Sequence, residues 1–229
     1  MKPANIRSHL PGILIASVVA TTAAFLSDSY GGPLMLFALL LGMALNFLGE
    51  ERTCILGLEF ASKKILRIGV ALLGARITFE QISGIGWRSL TIVAGSVAIV
   101  IFVGWLGARV LGMRTRLGIL SGGAVAICGA SAAAALAAVL PKDKDSDKET
   151  VFTIIGVTIL STAAMVSYPV IILFLGLDDA YSSFFLGATI HDVAQVIGAG
   201  YSVSDESGDM ATVVKLFRVA LLVPVVLLV

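Results

Sequence analysis

The 229 residues are 58% hydrophobic and 14% charged, with a mean hydropathy of +1.00, whereas soluble domains run at roughly 45–50% apolar and 25% charged. This places the chain in the membrane class, and no basic tract is dense enough for a nucleic-acid surface. With two cysteines and two histidines, a disulfide framework and a histidine-rich metal site are both excluded.

A bilayer core takes about 20 apolar residues in a helix, within a range of roughly 17–25. In chain order, residues 10–27 form the first such segment. They follow a basic start but no A-x-A cleavage pattern, so a retained helix is expected. Residues 31–49 are the second. Residues 61–79 are a weaker third, because Lys63, Lys64, Arg67 and Arg76 interrupt them. Residues 89–108 and 117–140 are the fourth and fifth, with Cys128 inside the fifth as a free thiol. The hydrophilic run PKDKDSDKET must lie in water, and its Ser146 and Glu149 have capping-box spacing for a helix starting near Asp147. Residues 151–177 are the sixth segment, and 181–204 the seventh, apolar but for His191 and Asp192. After the aqueous SDESGD turn, residues 212–229 are the eighth. The expected fold is all-α: a single transmembrane domain over 1–229. It ends on LLVPVVLLV with no polar flank, as a chain truncated after eight spans would.

An internal echo suggests an inverted-repeat transporter bundle. LLLGMALNFLG carries Gly42 four residues before Asn46, and FFLGATIHDVA carries Gly187 four residues before His191. Downstream, KKILRIGVALLG has Lys64 and Arg67 where VKLFRVALLVPV has Lys215 and Arg218. The segments differ by five in order, an odd number, so the copies would enter the membrane in opposite directions. On this reading 10–27 is an N-terminal helix, 31–177 a first repeat and 181–229 an incomplete second one.

Chemistry could reside in two places. In SGGAVAICGASAAAALAAV, glycines weaken the fifth segment. A break near Cys128–Gly129 would leave Ser131 as N-cap, with free backbone N–H groups of Gly129, Ala130 and Ser131 facing an anion. A continuous, closely packed Ala-rich helix is the alternative. In the seventh segment, a continuous helix would align His191 with Gly187, Gln195, Gly198 and Ser202, and set Asp192 about 100° away. Ionisable groups inside a membrane mark pathways, so the His191–Asp192 pair is a candidate for coupling to a proton. Lys64, Arg67, Lys215 and Arg218 read either as snorkelling cations or as paired charges flanking an anion site. Arg109, Arg114 and Arg116 read as loop charges. No hydrolase, nucleotide-binding or metal motif is present, so no enzyme and no cofactor are expected.

LRIGVALLGARITF, AICGASA and GATIHDVAQVIGAGY followed by KLFRV resemble the YeiH-type sulfate exporters, bacterial inner-membrane proteins grouped with cation/proton antiporters and anion transporters. The resemblance runs from the second segment to Val229. It implies inverted repeats with discontinuous helices crossing at the midplane, one break at Cys128–Ser131 and its mate beyond Val229. It also implies sulfate as cargo, where the residues themselves indicate only a small anion. The expectation is therefore a multi-pass secondary transporter exporting sulfate or a sulfonate-like anion, with a homodimer as a candidate assembly. Asn46, Cys128, Gly129, Ala130, Ser131, His191 and Gln195 would bind the anion. Asp192, Lys64, Arg67, Lys215 and Arg218 would serve coupling or charge. The rivals are a cation/proton antiporter, with Asp192 on sodium, and a membrane-embedded enzyme or assembly subunit.

Overall fold

Every described element is a helix, as an apolar medium requires of backbone groups that must pair within their own segment. The computed structural model describes residues 6–31, 34–49, 51–65, 68, 69, 72 and 79–229. They fall into two units, Met1–Arg76 and Ile77–Val229. Among the described residues four helices are long and apolar enough to cross a membrane: Ser8–Tyr30, Gly86–Val110, Ser146–Leu175 and Asp205–Leu228.

The first unit holds α1 (Ile6–Tyr30), α2 (Leu34–Ala44), a 3-10 turn (Asn46–Gly49), α3 (Arg52–Phe60) and a π-helical turn (Ala61–Ile65). Glycine lets α1 and α3 touch backbone to backbone. A Cβ on Gly57 would stand 2.7 Å from the Gly12 Cα, the close approach that small residues permit in membrane helices.

The second unit holds α4 (Phe79–Val110), α5 (Thr115–Ala126), α6 (Ala130–Val139), α7 (Ser146–Leu175), α8 (Asp179–Thr189), α9 (Val193–Tyr201), α10 (Asp205–Ala220) and α11 (Leu222–Leu228). The fifth expected span is thus two helices, and so is the seventh. Both are hairpins rather than crossings. Arg114, just before α5, pairs with Asp143 at 2.7 Å and Asp145 at 2.9 Å, just after α6. The two ends of this hairpin therefore lie together. Likewise Ser204, just after α9, donates to Asp179 at the start of α8 at 2.6 Å.

The 30 residues of α7 run from the open end of one hairpin to the open end of the other, about 45 Å at 1.5 Å per residue. By the same rise α5 and α8 reach in by about 18 and 16 Å from opposite ends, so both tips lie well inside the length of α7. Buried residues of both hairpins pack on α7: Leu136 and Val157 share one cluster, Ala164 and Leu186 another. Since residues 181–204 turn back instead of crossing, the odd-number argument for inverted copies loses its basis.

Two local expectations are corrected at the PKDKDSDKET loop. The N-cap of α7 is Asp145 and no capping box forms. Glu149 instead pairs with Arg116 at 2.9 Å, and the Arg116 Nε donates to the Pro141 carbonyl at 3.0 Å. Arg114 and Arg116 are thus the clasp of the first hairpin rather than free loop charges. The Asp145 backbone N–H, then the Ser146 hydroxyl and Arg114, hold the Asp143 carboxyl below the usual carboxylate range.

Two outcomes follow for membrane-embedded protein. Single cysteines at Met113 and Lys144 should react with an impermeant thiol reagent from one face, and a cysteine at Asp178 from the opposite face; labelling of Met113 and Lys144 from different faces would contradict the hairpin. A Cβ on Gly104 would meet the Gly122 Cα at 2.7 Å, whereas one on Gly95 meets nothing within 4 Å. Gly104→Ala should therefore lower the unfolding free energy by about 1–3 kcal/mol, and Gly95→Ala should leave it unchanged or raise it by about 0.5–1 kcal/mol, as read by thermal unfolding.

Candidate functional site

Both hairpin tips are set by residues that stop a helix. At the first, Gly129 has φ +63° and ψ −125°, a conformation open to glycine and strained for other residues. It is the N-cap of α6 and offers no side-chain cap. Ser131, expected in that role, is the second residue of α6 and exposed. At the second tip Asp192 is the N-cap of α9, accepting from the N–H of Ala194 at 2.8 Å and of Gln195 at 3.3 Å. His191 and Asp192 therefore sit in a break, not on the stripe with Gly187 and Ser202 that a continuous helix would make. This second break lies within the chain itself. A Cβ on Gly129 would lie 3.5 Å from the His191 Cβ, so the tips are in contact.

A helix that stops inside an apolar region leaves its last carbonyls without partners. Here two cations from α10 supply the donors. Lys215 Nζ donates to the carbonyls of Ile127 at 2.6 Å and Ile190 at 2.9 Å, one from each tip. Arg218 donates to Ala126 from Nε at 2.9 Å and again from Nη2 at 2.5 Å. It also reaches Val125 at 3.0 Å, Gly187 at 3.2 Å and Ile190 at 3.3 Å. Lys215 is 0% and Arg218 3% exposed, and neither has a carboxylate within 4.0 Å among the described residues. The negative ends of two helix dipoles offset their charge instead. Neither side chain snorkels, and neither is free to reach out to an anion. Gly187, in the sequence echo, lets α8 close on α10: a Cβ there would lie 2.5 Å from the Ala211 carbonyl.

Polar groups of α7 also meet the second hairpin. The Asp192 N–H donates to the Ser161 hydroxyl at 3.0 Å. Gln195 Nε2 donates to Thr162 Oγ1 at 3.0 Å, and the Thr162 hydroxyl donates in turn to the Thr158 carbonyl at 2.9 Å. Because that hydroxyl proton is spent, Thr162 can only accept from Gln195, which fixes the amide orientation. Gln195 Oε1 is then buried without a partner among the described residues, as is His191 Nδ1. Buried polar atoms are rarely left so, and both sit by the tips. Ser161 and Thr162 gave no signal in the sequence, standing in an apolar run without a motif.

The structure thus brings Cys128, Gly129, Ala130, Ser131, His191, Asp192, Gln195, Lys215 and Arg218 to one pair of tips within the second unit. Cys128 is buried there as a free thiol, as is Cys54 in α3. Asn46 and Lys64 belong to the first unit, where both are exposed and Lys64 Nζ stands 5.7 Å over the Phe60 ring. Arg67 lies outside the described residues.

Arg218→Lys keeps the charge but replaces a planar fork with three donors. Carbonyls left unbonded cost about 1–3 kcal/mol each, so this conservative change should lower Tm markedly, while Arg109→Lys on the exposed end of α4 should not.

The family model described as conserved hypothetical protein 698 matches residues 11–229. The chain is 54% identical over 95% of its length to the UPF0324 membrane protein CT0845 of Chlorobaculum tepidum. It is 52% identical over 95% to RB0971 of Rhizobium meliloti, and 51% identical over 97% to the protein named TauZ of Paracoccus denitrificans. It spans 61%, 63% and 66% of the lengths of these three. No solved structure matches it. With apolar helices of membrane length and a family match over nearly all its residues, the chain belongs to the conserved hypothetical protein 698 family, the UPF0324 membrane proteins.

Proposed function

We propose that the protein is a multi-pass secondary transporter of the bacterial inner membrane that exports a small anion, sulfate or a sulfonate, bound at the hairpin tips. One observation carries this reading. Two helical hairpins enter from opposite ends, their carbonyl termini are capped by buried cations, and the N-terminus of α6 has no side-chain cap. Half-helix N-termini within a membrane are favourable positions for an anion. The N–H groups of Ala130 and Ser131, with His191 and Gln195 beside them, would hold it. Lys215 and Arg218 would contribute through their field rather than by contact.

Pseudo-symmetry supports the inverted-repeat reading in a changed form. Ile127 and Ile190 precede the two breaks, and each offers its carbonyl to Lys215. The older echo persists locally: adding 145 to α2 (Leu34–Ala44) gives the bounds of α8 (Asp179–Thr189). His191 and Asp192 would couple transport to a proton. The antiporter alternative is weaker, because Asp192 already spends one oxygen on the cap of α9.

The protein reconstituted in liposomes should carry sulfate or a small alkylsulfonate, with a rate that changes when a pH gradient is imposed. His191→Ala should lower that flux at least tenfold, and Gly129→Ala should abolish it through the strained φ. Unchanged anion flux in both variants would refute the assignment of the site, and sodium-dependent proton flux without any anion would favour the antiporter.

A further inference from the structure

The carbonyls of Val125, Ala126, Ile127, Gly187 and Ile190 converge from two helix C-termini. Such a convergence of carbonyl dipoles is how membrane proteins hold a bare monovalent cation, and broken helices commonly present it to a coupling ion. Here the positive charge comes from the chain itself. Lys215 Nζ touches both tips, and the Arg218 guanidinium fills the remaining carbonyls within the same fully buried junction.

We propose that this junction is a monovalent-cation site permanently filled by tethered cations, so that the protein needs no sodium either to hold its tips together or to move its cargo. The statement about cargo rests on the transport reading; the site itself does not. Lys215 takes the place of a free ion shared between the hairpins, and Arg218 is a positioning residue that aligns the carbonyls around it. Removing the Lys215 side chain would convert a filled site into one that accepts sodium or a small ammonium ion, since the Ile127 carbonyl would lose its donor and the Ile190 carbonyl the nearer of its two.

The test compares salts at equal ionic strength. Purified wild-type protein should melt at the same temperature in sodium chloride and in choline chloride, and its anion flux should be equal in both. Lys215→Ala should melt lower in choline chloride and recover in sodium or methylammonium chloride. Its Tm should rise by about 3–6 °C for each tenfold excess over Kd. Arg109→Ala, which removes an exposed cation elsewhere, should show no such recovery. Lys215→Ser, which empties the same space but leaves a hydroxyl, carries the same comparison if the alanine variant does not fold. A saturable sodium-dependent rise in the Tm of the wild type would overturn the proposal without any variant. So would a folded Lys215→Ala protein indifferent to both cations. Lack of anion flux in either salt would remove the transport reading and leave the melting comparison intact.

Discussion

Two helices that stop halfway through an apolar layer expose carbonyls that water cannot reach, and Lys215 and Arg218 resolve that conflict. An isolated buried cation is costly and so is an orphaned carbonyl; placed against each other, each removes the other's penalty. The arrangement also fixes geometry. Lys215 touches Ile127 and Ile190 at once, so the two tips are held in register by a single nitrogen. The guanidinium of Arg218, with its rigid fork, serves the carbonyls of Val125, Ala126, Gly187 and Ile190, again from both helices.

Once the carbonyl ends are closed, the two helix N-termini are the backbone groups left open at the junction. They are treated differently. The start of α9 carries its own carboxylate in Asp192, while the start of α6 begins at a glycine with nothing to offer. On the proposed reading, an anion would therefore be disfavoured at the second tip and favoured at the first. The packing of both hairpins on α7 sets the frame for this asymmetry, and α7 adds Ser161 and Thr162, which hold the second tip in place.

Much of this was legible in the residues, and the rest was hidden for physical reasons. Composition announced helices and a membrane, and the glycines around Cys128 left a break and a continuous helix both open. What the apolar count could not reveal was direction. A run of about 24 apolar residues reads the same whether it crosses a bilayer or enters and returns, because hydropathy carries no sign. The return of the first hairpin shows in Arg114 meeting Asp143, a contact between residues 29 apart. The role of Asp192 was within reach: aspartate is among the best N-caps, and reading it as one would have divided residues 181–204 into two helices. Lys215 and Arg218 were noticed for their spacing, but their partners are backbone atoms, which leave no trace in a side-chain pattern.

The sequence distance across the junction has a bearing on how the protein is made. Ile127 and Lys215 are 88 residues apart. At a synthesis rate of about 5–20 residues per second, the first hairpin waits about 4–18 s for its cation. During that interval its tip must lie in water, in the insertion channel or against the lipid headgroups, because the bilayer interior offers its carbonyls no donor. The arrival of α10 is therefore what permits the first hairpin to settle at depth, and assembly of the junction ends rather than begins with the element that joins it.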